Sequence, residues 1–183
     1  MTDNLQAEAA QLVASLNLDE ISEWLETQRW YGSKSRHITG IEIDESVTLS
    51  ASPPLLLNLV QTRFATGAHD LYQLPLSFWP IAEAATRTGI VNTPESVVLD
   101  AVADPELVRD LLRLMEGEAS LDGEAGCFRF ARVQETGPLT PDAPVRPIGV
   151  EQSNSSIVFG EDTVLKVFRK LELQKEARSR RGT

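Results

Sequence analysis

The chain has 183 residues, 42% apolar and 24% charged, a soluble globular composition with enough length to bury a core without covalent staples. Cys127 is the single cysteine, which excludes an internal disulfide and a cysteine-based zinc site. The net charge is −10, yet its distribution is uneven: residues 1–165 carry 10 basic and 25 acidic residues, while the last 18 carry 7 basic and 2 acidic. An acidic body argues against a nucleic-acid partner, because phosphate affinity needs basic surface. The basic end, residues 166–183, reads as a solvated, partly frayed helix, with a nucleic-acid or membrane tail as the alternative. MTDNLQAEAAQ has no basic or apolar signal-peptide region, and no apolar stretch approaches a membrane span, so a cytoplasmic protein with no membrane contact is the default expectation.

In chain order, Leu5, Leu12, Val13 and Leu16 share a helical face over residues 5–17. Asp19 opens a second helix, with Ile21, Trp24, Leu25 and Gln28 on one side and acids in the first turns, where the helix dipole favours them. That helix stops within QRWYGSKSR, residues 28–36. Ile41, Ile43, Val47 and Leu49 alternate as a half-buried strand with a break near Glu45. Leu55–Phe64 and His69–Phe78 read as two more strands joined by a turn at Thr66-Gly67. Glu95–Ala103 and Asp104–Gly117 read as helices, the second with an Asp cap and Pro105 in its first turn. Cys127–Val133 reads as a strand.

Residues 136–147 hold four of the ten prolines and read as a linker. Beyond it lie strand Pro147–Gln152, polar loop Ser153–Ser156, strand Ile157–Phe159, turn Gly160-Glu161-Asp162 and strand Thr163–Arg169. The fold class is α+β: helices packed on an antiparallel sheet, then a second antiparallel unit.

The last unit carries the candidate chemistry. Holding an ATP phosphate tail takes N–H groups and hydroxyls in a tight turn plus one fixed cation. Kinase-like folds place the turn between their first two strands and the cation, a lysine, on the third. Ser153, Asn154, Ser155 and Ser156 occupy the first position here, and Lys166 the second. Alternation puts Val164, Lys166 and Phe168 on one face and Leu165 and Val167 on the other. The competing reading is an ordinary polar loop with a lysine that snorkels to solvent. No glycine fingerprint of the general phosphate or dinucleotide loops is present.

GVEQSNSSIVFGEDTVLKVFRKLE, residues 149–172, resembles the start of the kinase N-lobe in bacterial maltokinases and related sugar kinases, phosphotransferases similar to the aminoglycoside phosphotransferases. QRWYGSKSR resembles the RW-aromatic-x-x-K-x-R signature of that family's N-terminal cap domain. The resemblance implies a cap domain at 1–135 with a helical intermediate part at about 80–118. It implies an N-lobe start at 148–172, leaving a basic tail at 173–183. It further implies nucleotide contacts by Ser153, Asn154, Ser155, Ser156 and Lys166. The intact enzyme is then expected to use ATP and Mg²⁺ on maltose or a related sugar such as glucosamine. The family's catalytic base and metal-binding Asp belong to a C-lobe that has no counterpart in this sequence, so no catalytic residue or metal ligand is assigned. Catalysis is expected to need that lobe or a partner chain. His69-Asp70 reads as surface, and His37 has no partner in reach by sequence. The departure from the family pattern after Leu171-Glu172 suggests a fragment or a split gene product. The alternative is a stand-alone non-catalytic cap that binds or regulates a partner. For Trp24, Trp30 and Tyr31 the readings are core packing, with Lys34 and Arg36 on its rim, or a cationic loop facing substrate.

Overall fold

The computed structural model describes residues 2–84, 86–124, 126–131, 137–150 and 154–172, with side chains for all but 2–5, 149 and 150. Its α+β architecture begins with two helices, α1 (Thr2–Ala14) and α2 (Leu18–Thr27). α2 starts one residue before the expected Asp19 because Asn17 caps it, its side chain accepting hydrogen bonds from the amides of Asp19 and Glu20. Ile21 and Leu25 are its buried residues.

Three long strands follow: β1 (Ile38–Ala51), β2 (Pro54–Phe64) and β3 (His69–Pro80). They pair antiparallel, with Ile43 opposite Val60 and Val60 opposite Tyr72. The break expected near Glu45 is a register shift between Ile43 and Glu45. Gly67, at φ +80°, makes the β2–β3 turn where an L side chain would be strained. Next come β4 (Val91–Asn92) and β5 (Ser96–Asp100), which complete the order β1-β2-β3-β5-β4.

The helix expected over Glu95–Ala103 is not formed. Ser96–Asp100 is strand β5, followed by a single 3-10 turn at Ala101–Ala103. Val97, Val98 and Leu99 pair with Trp79, Phe78 and Ser77 of β3. A β-rich run beside an open strand edge satisfies its backbone there at no cost to side-chain packing. Helix α3 (Leu107–Glu116) does form, and Asp104 Oδ1 accepts from the amides of Glu106 and Leu107. A hairpin of β6 (Ser120–Asp122) and β7 (Cys127–Arg129) follows. β7 covers only the start of the strand expected to reach Val133, whose last two residues lie outside the described residues.

The small sheet comprises β8 (Val145–Val150), β9 (Asn154–Phe159) and β10 (Thr163–Phe168), in the order β10-β9-β8. The turn at Gly160-Glu161-Asp162 connects β9 to β10, with Gly160 at φ +60°. The strand expected over Thr163–Arg169 forms as β10, so the first part of the basic end is strand and not the frayed helix read for residues 166–183. Lys166 lies in β10, and β11 (Lys170–Leu171) pairs with Tyr72 and Leu71 of β3. Residues 173–183 lie outside the described residues.

Two faces of the large sheet are buried. Trp30, Tyr31, Leu56, Val60, Phe64, Tyr72 and Leu74 form one core with Ile21 and Leu25 of α2. On the far side, Leu55 and Leu99 pack on Leu107 of α3, whose Val108, Leu111 and Leu112 pack in turn on Ile157, Phe159 and Leu165 of the small sheet. Each such buried aliphatic side chain contributes roughly 1.5–3 kcal/mol. Helix α3 is therefore the layer that joins the two sheets.

Candidate functional site

Strand pairing decides which candidate residues share a surface. Lys166 stands opposite Ser156, Val164 opposite Val158 and Phe168 opposite Asn154. Paired residues on an antiparallel ladder project to the same face. That face is the one turned away from α3, because Ile157 and Leu165 on the other face are in the core. Val164 is 58% exposed and Phe168 54%, and Lys166 between them is exposed as well. The lysine Nζ lies 5.6 Å from the centre of the Phe168 ring. The expected alternation thus holds, and it leaves the lysine on an open, partly apolar surface.

The polar segment is different from its expectation. β9 begins at Asn154, so Asn154, Ser155 and Ser156 are strand residues and not loop; Ser153 lies outside the described residues. Ladder hydrogen bonds to β10 and β8 extend the strand through the serines. Ser155 also faces inward. It is buried, and its Oγ accepts a hydrogen bond of 3.0 Å from Nε of Arg169. The structure therefore brings Asn154, Ser156 and Lys166 to one face and sends Ser155 to the other.

Arg169, expected at the end of the strand Thr163–Arg169, lies just beyond β10. It is 1% exposed, with Nη1 3.1 Å from Oδ1 and Nη2 2.6 Å from Oδ2 of Asp100. Its guanidinium carbon also lies 4.7 Å from the centre of the Trp30 ring. One carboxylate and one hydroxyl thus accept from three N–H groups of a buried cation that also faces one aromatic ring. Asp100 Oδ1 additionally accepts from the Val102 amide, fixing the 3-10 turn before α3. A cleft of about 410 Å³ opens beside this pair, bounded by Gln28, Pro105, Val108, Val145 and Ile157.

The neighbouring residue repeats the pattern one strand over. Lys170 Nζ lies 2.9 Å from Asp70 Oδ1, and Arg36 Nη2 lies 3.0 Å from Asp70 Oδ2. The Ser33 hydroxyl donates to the same carboxylate. Burial alone raises the Asp70 pKa, but the Ser33 hydroxyl, Lys170 and Arg36 together outweigh it and hold the carboxyl below its ordinary value. Asp70 is therefore not the surface residue expected from sequence, whereas His69 is exposed. His37 likewise has a neighbour, its Nδ1 lying 3.3 Å from Glu26 Oε1.

QRWYGSKSR resolves into parts with separate duties. Trp30 and Tyr31 are core residues, and the Trp24 ring packs edge-on against Trp30 at 5.8 Å. Arg36 lies over the Phe64 ring at 4.1 Å and pairs with Asp70, while Lys34 is exposed. The aromatic half packs as the core reading expects, and Arg36 does more than solvate the rim. Both sequence motifs meet here: Trp30 touches Arg169, and Ser33 and Arg36 share Asp70 with Lys170.

Residues 24–104 match the family model of the maltokinase N-terminal cap domain. This part of the chain is a maltokinase-like N-terminal cap. The match runs from Trp24 in α2 to Asp104, the residue that caps α3, and so takes in the large sheet and both carboxylates, Asp70 and Asp100. The cap's partners for those carboxylates, Lys170 and Arg169, lie outside the matched residues. Among the described residues, no group of three or more His, Cys, Asp or Glu is gathered as a metal site. Among them too, no helix is long and apolar enough to cross a membrane.

Proposed function

We propose that this chain is the N-terminal portion of an ATP-dependent sugar kinase of the maltokinase type, with residues 148–172 forming the start of its kinase N-lobe. The observation that carries the reading is Lys166, exposed on the third strand of a meander that follows the cap, flanked by exposed Val164 and Phe168 and opposite Ser156. A cation beside an open apolar surface suits a nucleotide, whose base is apolar on its faces and whose phosphates are anionic. Lys166 would hold the phosphates, with Ser156 and the buried Asn154 on the same face of the sheet; Ser153, a further proposed contact, lies outside the described residues. When bound, ATP supplies the transferable phosphoryl group. Mg²⁺ ligands and the base that orients the sugar hydroxyl would come from a C-lobe, joined to this chain or encoded separately. A reaction that consumes ATP also belongs in the cytoplasm. Maltose is the proposed acceptor, with glucosamine or another sugar as the substitute.

The test joins the chain to the C-lobe of a maltokinase and follows phosphoryl transfer from MgATP to maltose. Activity that falls by about 10²-fold or more in Lys166→Met supports the reading. Full activity in that variant, or no MgATP binding by the joined protein, removes it.

A further inference from the structure

The small sheet has three strands, and sheets of that size depend on packing against other elements for their position. One face rests on α3, but apolar contact alone allows sliding along the strands. The segment that follows Lys166 is held more tightly than that. The Gln73 amide donates to the Arg169 carbonyl at 2.8 Å, and the Gln73 side chain donates to the Phe168 carbonyl at 2.7 Å. Lys170 and Leu171 then add to the cap's strand β3. Between these backbone ties sits the Arg169 guanidinium, bound to Asp100 of the cap and Ser155 of β9 at once.

Resting on the kinase reading above, we propose that Arg169 is a positioning residue: it fixes the lysine strand against the cap, so that the cap sets where Lys166 stands. Four features support this. Arg169 follows Leu165 and Val167 on the inward parity of the strand, so its side chain turns toward the cap while Lys166 turns outward. The two residues are three apart, about 10 Å of extended chain that is strand β10 as far as Phe168, so a shift at one is carried to the other. The cleft of about 410 Å³ beside Asp100 and Arg169 leaves room for the strand to drift if the pair is lost. Bidentate geometry also fixes rotation as well as distance, which a point charge does not.

The test uses the full chain with Asp100→Leu and Arg169→Met made together, an apolar pair that leaves no uncompensated buried charge. Hydrogen exchange should show β1–β3 amides protected as in the unmodified chain and the Ser155–Phe168 amides exchanging about tenfold faster or more. Calorimetric titration of the same variants joined to the C-lobe should show MgATP affinity reduced about tenfold or more, with Arg169→Lys in between. Unchanged exchange in β9 and β10, or exchange that rises equally in β1–β3, overturns the proposal; the second outcome makes the pair merely structural. If the unmodified chain joined to the C-lobe takes up no MgATP, the nucleotide reading fails by itself, and the exchange pattern still decides whether Arg169 positions the strand.

Discussion

Arg169 and Asp100 stand 69 residues apart in the chain and form a two-point ion pair, 3.1 and 2.6 Å, with both side chains buried. Such a pair is weak evidence for net stability, since taking two ions out of water costs nearly what their attraction returns. Removing only one partner is another matter, because the remaining charge is stranded. Arg169→Met is expected to lower stability by about 3–5 kcal/mol. The Asp100→Leu, Arg169→Met pair should recover much of that, less about 1 kcal/mol for the lost hydrogen bond to the Val102 amide. Urea midpoints of the three proteins at equal m-value check both figures.

The two faces of β10 differ sharply, and adjacent substitutions should separate them. Leu165 is 7% exposed and packs against the α3 side chains, whereas Val164 is 58% exposed. Leu165→Ala is expected to cost about 2–5 kcal/mol. Val164→Ala should change stability by no more than about 0.5 kcal/mol. Thermal unfolding of both variants checks the assignment, and similar losses would mean that the small sheet buries the other face.

Asp70 gives the fold an acid-sensitive joint. Its carboxyl is held below the ordinary value in the folded chain, chiefly because the Ser33 hydroxyl, Lys170 and Arg36 outweigh the opposing effect of burial. A depressed folded pKa adds stability that is fully present above the unfolded value, about 3.9, and is lost as pH falls through the folded value. Asp70→Asn is therefore expected to be less stable by about 1–3 kcal/mol at pH 7, with a gap that narrows below about pH 4. Denaturant titrations at pH 7 and pH 3 measure that gap; a constant difference would place the effect elsewhere.

Much of the scaffold was legible because its periods are strong. The apolar runs in Leu55–Phe64 and His69–Phe78 mark strands buried on both faces, and the helical stripe Val108, Leu111, Leu112 reports burial directly. Ser96–Asp100 misled as a helix because five residues carry little period. Its strand state is decided by the β3 edge, which only the fold supplies. Lys166 could be placed on its strand by parity, yet the same parity applied three residues on would have turned Arg169 inward. The strand reading stopped at Arg169, whose charge was counted only toward the basic end. Asp100 and Asp70 carried no comparable mark, since their partners come from the far end of the chain. The serines were assigned to a loop because polar side chains suggest a turn, whereas here Ser155 is buried by pairing with an arginine.

The central claim is that the outward face of β10 receives the phosphates of ATP at Lys166, and a reactive acyl-phosphate analogue of ATP tests it most directly. Such a probe acylates the lysine amine nearest the bound phosphates, and the modified residue can be read by mass spectrometry of the full chain. The account predicts that Lys166 is acylated ahead of Lys34 and Lys170 and is protected by excess MgATP. Equal modification of the three lysines, with no protection by MgATP, would contradict it.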